Sequence, residues 1–288
     1  MQIVTDSGTD YQLSAVNGRD ASIHVVPLSV TLNGISYRDG DNSQRDEFYS
    51  QLQETGQLPI TSQPSAGEFA ELYRHLARKD PEILSIHISS GLSGTVNSAR
   101  AGAQMVPEAQ VTVVDTRTLS MGAGWQVNAA ASAIRAGWSK EKILERLAAI
   151  SRECQTFFTL KELRYLIHGG RISHMKGLLA SVLQIKPIIG VDHESGKYVQ
   201  TGQTRSFQSG LNRIVEIMGK GLKQGEELRA QVGHAANTAG ADLLHGLMDN
   251  ACKCSWLSNA QISYVLGAHT GPTLVGLCAA PLRLFEGL

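Results

Sequence analysis

The residues best suited to chemistry in this chain are the serines and glycines of residues 88–95, with the sequence ISSGLSGT. The apolar run at 83–88 predicts a strand before them, and the small residues of 96–103 predict the start of a helix after them. Backbone N–H groups and the positive end of a helix meet in such a loop, and serine hydroxyls add further donors. The loop therefore suits a small anionic group such as a carboxylate. A tight strand-to-helix turn with a serine N-cap fits the same residues equally well.

Two catalytic signatures are missing from this loop. It contains no lysine of the P-loop kind, and it forms no G-x-S-x-G elbow because Thr95 follows Gly94. An acyl hydrolase with Ser93 as nucleophile and His269 as its base is still the competing hypothesis, although no third residue is evident to orient the histidine. A hydrolase predicts turnover of an ester, whereas a binding protein predicts retention of an unchanged ligand.

The bulk composition limits the possible function classes. The chain has 288 residues, of which 42% are hydrophobic, enough for one large or two modest domains. Lys+Arg and Asp+Glu each count 26, so the absence of a basic excess argues against a nucleic-acid partner. The sequence shows no apolar run long enough to span a membrane, and a strand is predicted where a signal peptide would lie. The spacing of Cys154, Cys252, Cys254 and Cys278 fits neither a disulfide framework nor a metal site, so we expect a cytoplasmic protein without a bound metal.

Strands and helices alternate through the first half of the chain. Strands are predicted near residues 3–4, 23–32, 83–88 and 111–116, and helices at 45–55, 66–78, 96–105, 120–136 and 140–152. Asn33-Gly34 predicts a hairpin turn, residues 60–65 a loop, and Ser65 with Glu68 a capping box. This alternation is typical of a mostly parallel α/β sheet. We expect an N-terminal domain over residues 1–155, with a β-hairpin excursion near 28–40.

The pattern changes near residue 155. A β-rich run at 155–160 precedes a short helix at 161–168, and residues 185–192 and 198–200 predict an antiparallel pair. Helices fit 206–222 and 238–252, and strands fit 229–234 and 262–266, so that His269 would follow a strand that extends to about 268. We expect a C-terminal α+β domain with a mixed sheet over residues 156–288.

These segments together resemble the DegV family of bacterial fatty-acid-binding proteins. The match runs from the strand at 3–7 to the segment at 269–272, nearly the whole chain. It is carried by IVTDS at 3–7, VVPL at 25–28, TSQPS at 61–65, SSGLSGT at 89–95, VDT at 114–116, LRYL at 163–166, GGRI at 169–172, KPI at 186–188 and HTGP at 269–272.

The resemblance implies an α/β, two-domain DegV-like fold, with an N-terminal parallel-sheet α/β/α domain and a C-terminal α+β domain. It implies a long-chain fatty acid bound between the domains as the only ligand, with no cofactor and no catalysis by this chain. A separate ATP-dependent fatty acid kinase would phosphorylate the presented carboxylate, and the acyl phosphate would enter phospholipid synthesis. Transient contact with a membrane for lipid exchange is also implied.

The resemblance assigns roles to single residues. The carboxylate-binding residues correspond to Thr61, Ser93 and His269, with the neighbouring Ser62 and Gly94 included in the site. Arg205 corresponds to the arginine that docks the kinase. Gly169-Gly170 is interpreted as a helix stop, and Arg171 as a brace at the domain interface.

An acyl tail requires a long apolar tunnel. Burial of each CH₂ contributes about 0.8 kcal/mol, so a tail of about sixteen carbons would contribute on the order of 10 kcal/mol before ordering costs. The apolar run at 178–183 together with Ile188 and Ile189 is the candidate wall of that tunnel. Ordinary core packing explains the same residues.

Overall fold

The computed structural model describes residues 1–14, 22–39, 44–175, 185–220 and 225–288. The strands are β1 (Gln2–Asp6), β2 (Ile23–Val26), β3 (Ser29–Leu32), β4 (Ile35–Arg38), β5 (Ile60–Ser62), β6 (Glu82–His87), β7 (Gln110–Asp115), β8 (Gln155–Thr159), β9 (Lys186–Val191), β10 (Tyr198–Thr204), β11 (Leu228–His234), β12 (Cys254–Trp256), β13 (Ala260–Gln261) and β14 (Val275–Pro281). The helices are α1 (Arg45–Thr55), α2 (Ala66–Ala77), α3 (Thr95–Gln104), α4 (Ser120–Arg135), α5 (Lys140–Glu153), α6 (Arg164–His168), α7 (Phe207–Lys220), α8 (Thr238–Ala251) and α9 (Tyr264–Thr270). Among these described helices, none has the length and apolar character needed to cross a bilayer.

The first half of the chain forms the predicted parallel sheet. Its order is β2-β1-β6-β7, and every neighbouring pair is parallel. Helices α2 and α3 pack against each other beside it, and α2 begins with the predicted capping box between Ser65 and Glu68. Strand β6 ends immediately before the serine-glycine loop, so the loop lies at the carboxyl edge of the sheet.

A small antiparallel sheet contains the second part of one predicted strand and part of one predicted loop. The extended run at 23–32 divides at Pro27, because β2 joins the parallel sheet whereas β3 pairs with β4 and β5. Residues 60–62, predicted as part of a loop, form β5. The β3–β4 turn has positive φ at Asn33 and Gly34, as a two-residue hairpin turn requires.

The second half of the chain forms the predicted mixed sheet, with the order β10-β9-β8-β14-β11-β12. Strand β13 pairs with β11, and the β11–β12 and β11–β13 pairs are parallel whereas the others are antiparallel. Strand β14 was not predicted, although it lies in the middle of the sheet. The division into two domains at residue 155 stays a prediction. The strands of the parallel sheet precede residue 155, and the strands of the mixed sheet begin at it.

One predicted strand is wrong. Residues 264–270 form the helix α9, which begins after Ser263, whereas the apolar run had predicted a strand over 262–266. Six of its seven residues are buried, so the segment lacks the polar stripe that distinguishes a surface helix from a strand. His269 consequently lies in the last turn of a helix and not after a strand.

Helix α4 packs between the two large sheets. Its buried residues share one core cluster with Ile3 of β1 and with Cys278 and Ala280 of β14. Trp125 of α4 donates a hydrogen bond to Gln231 Oε1 of β11 at 3.2 Å. The beginning of α4 is thereby fixed against the mixed sheet, where it borders the candidate site described next.

Candidate functional site

Thr61 and His269 meet at the centre of the candidate site. Thr61 lies in the middle of β5 opposite Val30, and its side chain faces inward, whereas the adjacent Ser62 is exposed. Thr61 Oγ1 and His269 Nε2 share a hydrogen bond of 2.8 Å. The ring of His269 also lies against Gly169, where an added Cβ would contact Nδ1. The histidine is therefore held on both sides by backbone and side-chain contacts.

Two buried carboxyl groups fix the start of α9. Ser263 N donates to Asp10 Oδ1 at 3.1 Å, and Tyr264 N donates to Asp39 Oδ1 at 2.9 Å. Ser120 Oγ donates to Asp10 Oδ2 at 2.7 Å. Burial raises the pKa of Asp10 from 3.8 to about 7 and that of Asp39 to about 6. These bonds hold the helix that carries His269 at its opposite end.

The serine-glycine loop uses most of its backbone donors internally. Gly91 N donates to Ser89 Oγ, and the N–H groups of Leu92 and Ser93 donate to Ser89 O. Thr95 N donates to Ser93 Oγ at 3.3 Å, and Ser93 Oγ shares a hydrogen bond of 2.8 Å with Thr95 Oγ1. An anion at this loop would therefore be bound chiefly by side chains and not by the backbone cage that the motif predicts.

The loop is clamped by the turn between β9 and β10. Ser89 Oγ donates to Gly196 O at 2.8 Å, and Arg117 Nη1 donates to Glu194 O at 3.0 Å. The fit is close, since a Cβ at Gly91 would lie 2.5 Å from Ser195 O. On the other side, Arg171 Nε donates to Leu92 O at 3.2 Å. Residues of the second half of the chain thus hold the loop that carries Ser93.

A polar cavity of about 80 Å³ lies among these side chains. Its polar lining consists of Thr61, Gln63, Ser93, Arg171 and His269. Its apolar lining consists of Leu28, Ile88, Leu92, Leu119, Tyr198, Val265 and Leu266. The structure thus brings Thr61, Ser93 and His269 together, as the resemblance implied.

The charge in this cavity comes from Arg171. Burial, with the nearby charges of Arg171 and His168, lowers the pKa of His269 from 6.5 to about 3, so the imidazole is neutral at physiological pH. Burial also lowers the pKa of Arg171, but an arginine guanidinium stays protonated in proteins. Arg171 Nη1 donates to Gly169 O at 2.5 Å, and with Nε bound to Leu92 O the guanidinium has a fixed orientation.

Sequence reasoning did not include Arg171 among the ligand contacts. The sequence contained evidence for this role. A buried carboxylate requires a cation as partner, and Arg171 directly follows the Gly169-Gly170 pair that ends a helix. The predicted Ser62 and Gly94 are not part of the cavity lining. Gly94 is the N-cap residue of α3 and lies against the side chain of Gln63.

An apolar cavity of about 40 Å³ adjoins the polar one. The two cavities share Leu119, Tyr198 and Leu266 as walls. The lining of the second cavity comes from the start of α4, the α4-facing side of the mixed sheet and the α9 region, and it includes Met121, Phe158, Gly233, Ile262, Leu274 and Gly276. A polar site that opens into an apolar cavity matches an amphipathic ligand.

The predicted tunnel wall stays a prediction, since neither Ile188 nor Ile189 lines the polar or the apolar cavity. Residues 178–183 lie outside the described residues, which omit 176–184. Ile189 packs in the core that contains Leu119 and Phe158, whereas Ile188 packs on the opposite face of the mixed sheet. Arg205, the predicted docking residue, is exposed directly after β10 and lines neither cavity.

The hydrogen bonds favour binding over hydrolysis. Ser93 Oγ pairs with Thr95 Oγ1 and His269 Nε2 pairs with Thr61 Oγ1, so within the described residues no hydrogen bond joins Ser93 to His269. A serine nucleophile requires a base within hydrogen-bond reach and a third group that orients the base. His269 Nδ1 faces Gly169 and has no carboxylate partner in the described part of the chain.

Comparison with known proteins identifies the family. Residues 1–282 match the sequence profile described as "Uncharacterised protein, DegV family". A DegV domain-containing protein of Staphylococcus aureus is 34% identical over 278 residues, 96% of each chain, and one of Deinococcus radiodurans is 32% identical over 279 residues, 97% of this chain and 95% of the relative.

Solved structures show the same fold. A DegV family protein of Thermus thermophilus, described for its fatty acid binding, has a TM-score of 0.85 at 32% identity and covers 97% of this chain and 99% of its own. DegV of Bacillus subtilis, described as a fatty acid binding protein, has a TM-score of 0.83 at 28% identity over 97% and 98%. A stearic acid-binding protein of Eubacterium ventriosum has a TM-score of 0.84 at 26% identity over 100% of both chains. This chain belongs to the DegV family.

Proposed function

We propose that this protein binds a long-chain fatty acid and presents its carboxylate to an ATP-dependent fatty acid kinase. The observation that carries the proposal is the pair of adjoining cavities, one polar and lined by Arg171 and one apolar, that share Leu119, Tyr198 and Leu266. Fatty acid binding by DegV proteins of Thermus thermophilus and Bacillus subtilis supports it.

The polar cavity offers a carboxylate the partners that it needs after desolvation. A buried carboxylate is stable only when it is paired with a cation and accepts hydrogen bonds. Arg171 supplies the positive charge, and the hydroxyls of Ser93 and Thr61 supply donors. If His269 Nε2 donates to Thr61 Oγ1, the Thr61 hydroxyl hydrogen is available to the ligand. In this proposal, His269 orients Thr61 and adds no charge.

The apolar cavity would bind the beginning of the tail. Its lining includes Leu119, Met121, Phe158 and Ile262, and burial of each CH₂ there contributes about 0.8 kcal/mol. Its volume of about 40 Å³ is smaller than a long acyl chain, so the lining side chains must separate to admit the rest of the tail. Close-packed interiors resist such separation, and the gain in buried CH₂ groups must exceed its cost.

The kinase would act on the carboxylate while the tail stays buried. Transfer of the γ-phosphoryl group of ATP to a carboxylate oxygen gives an acyl phosphate and ADP, and the requirement for ATP fits a cytoplasmic site of action. We propose Arg205, exposed after β10, as a contact for the kinase, and a transient membrane contact as the route of fatty acid exchange. The acyl phosphate would then serve phospholipid synthesis.

Mass spectrometry of the purified protein tests the ligand. We expect an unmodified fatty acid to be recovered from the wild-type protein, and Ser93→Ala to reduce the bound fraction because the ligand loses a donor. Ser90→Ala is the matched control, since Ser90 Oγ donates to Asp115 Oδ2 and does not line the cavity. Equal occupancy in wild type and Ser93→Ala would contradict the site, and turnover of a fatty-acyl ester would support the hydrolase instead.

A coupled assay tests the kinase role. Arg205→Ala should slow acyl-phosphate formation by an added fatty acid kinase and leave fatty acid binding unchanged. Arg213→Ala is the control, because Arg213 pairs with Glu216 on the surface of α7. Loss of bound fatty acid from Arg205→Ala, or equal kinase rates in both variants, would contradict the docking role.

A further inference from the structure

Tyr198 of β10 carries a buried hydroxyl that is not used in the packing of the protein. The side chain is 3% exposed, and its ring packs edge-on against Phe158 with the ring centroids 5.2 Å apart. Within the described residues, no hydrogen bond is made by Tyr198 Oη. A buried tyrosine hydroxyl ordinarily has a partner, so this one needs an explanation.

Four other buried tyrosines show the usual arrangement. Each of their hydroxyls makes a hydrogen bond to a side chain or to a backbone carbonyl, and the four are Tyr37, Tyr49, Tyr73 and Tyr165. A phenylalanine at position 198 would keep the ring contact with Phe158 and would bury no unpaired polar atom, whose desolvation costs free energy. The hydroxyl of Tyr198 therefore indicates a partner that the described part of the chain does not supply.

Tyr198 lies where the polar and apolar cavities meet. It lines both cavities, and it shares this position with Leu119 and Leu266, whose side chains have no polar atom. Burial raises the pKa of Tyr198, and the nearby positive charge of Arg171 opposes that rise. A ligand whose carboxylate is bound beside Arg171 would therefore pass the phenol with the first carbons of its tail.

The other hydroxyls that line the apolar cavity are already bonded. Ser120 Oγ donates to the Asp10 carboxyl, Thr270 Oγ1 donates to a backbone carbonyl, and Thr156 Oγ1 shares a hydrogen bond of 3.3 Å with Thr118 Oγ1. An oxygen atom on the tail would therefore find its donor at the junction of the two cavities and not deeper in the apolar one.

We propose that this protein prefers fatty acids with an oxygen substituent at C3, and that Tyr198 Oη donates a hydrogen bond to that oxygen. This inference rests on the proposed fatty acid binding and names the class of fatty acid. C3 lies two bonds beyond the carboxyl carbon, so its substituent is next to the carboxylate while the rest of the tail stays apolar. A site that hydrogen-bonds such a group discriminates against the analogue that lacks it, because its own polar atom is then left unpaired.

Competition between two acids of equal length tests this preference. The protein is incubated with an equimolar mixture of hexadecanoic acid and 3-hydroxyhexadecanoic acid, and the bound species are identified by mass spectrometry. We expect the wild-type protein to favour the hydroxy acid by about tenfold, and Tyr198→Phe to remove this preference. Tyr73→Phe is the matched control and should keep it, since Tyr73 is also buried but lines neither cavity. Equal recovery of the two acids by wild type would overturn the proposal, and so would a preference that survives in Tyr198→Phe.

A second competition uses the wild-type protein alone. In 3-methylhexadecanoic acid, a methyl group occupies the same carbon and cannot accept a hydrogen bond. In ω-hydroxyhexadecanoic acid, the hydroxyl lies on the terminal carbon, far from Tyr198. We expect neither acid to be favoured over hexadecanoic acid. A preference for the methyl acid would show that the site responds to volume at C3, and a preference for the ω-hydroxy acid would show a donor elsewhere, so that either result would contradict the proposal.

The outcomes separate this inference from the proposed function. If the wild-type protein binds none of these acids, the proposed function fails. If Tyr198→Phe weakens the binding of hexadecanoic acid and of its 3-hydroxy derivative to the same degree, Tyr198 contacts the carboxylate. In that case the preference at C3 fails and the fatty acid site stands.

Discussion

Thr61 Oγ1 and His269 Nε2 lie 2.8 Å apart, although 208 residues separate them in the sequence. The bond joins a short antiparallel strand to the last turn of a buried helix. Because the pKa of His269 is lowered to about 3, the bond joins two neutral groups at physiological pH. The bond fixes the orientation of both side chains, and among the described residues that line the polar cavity the cation is Arg171.

Replacement of Arg171 should weaken fatty acid binding more than any other change at the polar cavity. Arg171→Met removes the charge and keeps much of the apolar side-chain volume, and loss of a charge-assisted hydrogen bond of about 2 kcal/mol corresponds to a roughly 30-fold higher Kd. Titration of a fluorescent fatty acid measures it. Arg213→Met, a surface change on α7, should leave the Kd unchanged. A Kd within twofold of wild type in Arg171→Met would show that the carboxylate is bound elsewhere.

The neutral state of His269 predicts an acid-side loss of stability. The folded protein holds the imidazole neutral down to about pH 3, whereas the unfolded chain protonates it near 6.5. The unfolded state thus binds more protons between these values, and the free energy of unfolding contributed by this group falls as the pH drops through that window. His269→Gln should show a shallower fall, measured by urea denaturation between pH 7 and about pH 5. Equal slopes in variant and wild type would contradict the assignment.

Asp10 predicts the opposite pH dependence. Its pKa is raised from 3.8 to about 7, so the folded state binds more protons than the unfolded state within that window. The contribution of Asp10 is most favourable below the window and falls as the pH rises towards 7. Asp10→Asn should therefore raise the free energy of unfolding more at pH 8 than at about pH 5, relative to wild type.

The control for this variant is Asp46→Asn, at an exposed position in the first turn of α1. It should change the free energy of unfolding by a similar small amount at both pH values. A pH-independent difference between Asp10→Asn and wild type would show that the Asp10 carboxyl does not titrate in this range.

A buried chain of hydrogen bonds joins α2 to the parallel sheet, and we expect it to contribute to stability but not to fatty acid binding. Ser85 Oγ lies 2.7 Å from both Tyr73 Oη and His87 Nε2, and His87 Nδ1 lies 3.0 Å from Asp6 Oδ2. Ser85→Ala leaves the tyrosine hydroxyl and the imidazole without this partner, and we expect a loss of about 2 kcal/mol in the free energy of unfolding.

Tyr73→Phe provides the internal comparison for this chain. Combined with Ser85→Ala, it removes one of the two unsatisfied groups, so the double variant should lose less than the sum of the single variants. Strict additivity would show that the hydroxyls do not interact. Fatty acid occupancy should equal that of wild type in all three variants, since neither residue lines the polar or the apolar cavity described above.

Local patterns predicted the elements that depend on nearby residues. Ser65 and Glu68 form the predicted capping box, Asn33-Gly34 forms the predicted turn, and the alternation of strands and helices gave the parallel sheet. The order of motifs along the chain gave the family, which the comparisons confirm. The cap, the turn and the alternation of elements depend on the preferences of residues near one another in the sequence. The family assignment depends on motifs spread along the whole chain.

Features that depend on tertiary contacts could not be predicted from local sequence patterns. Strand β14 consists of small and apolar residues, VGLCAAP, and is buried throughout, so it shows no alternation. Helix α9 is buried on nearly all sides and was therefore mistaken for a strand. The position of Arg171 beside Ser93 depends on how the second half of the chain folds over the first, which spacing along the sequence does not encode.

The clamp on the serine-glycine loop has a consequence for how a ligand can enter. With Ser89 bound to Gly196 O and Gly91 packed against Ser195 O, the loop can swing outward only if its contacts with the β9–β10 turn break. These contacts therefore hold the Ser93 hydroxyl in place, and the carboxylate of a ligand would have to approach it. A fatty acid bound as proposed would have to enter and leave by deforming another part of the enclosure, and we expect its rate of exchange to depend on that part.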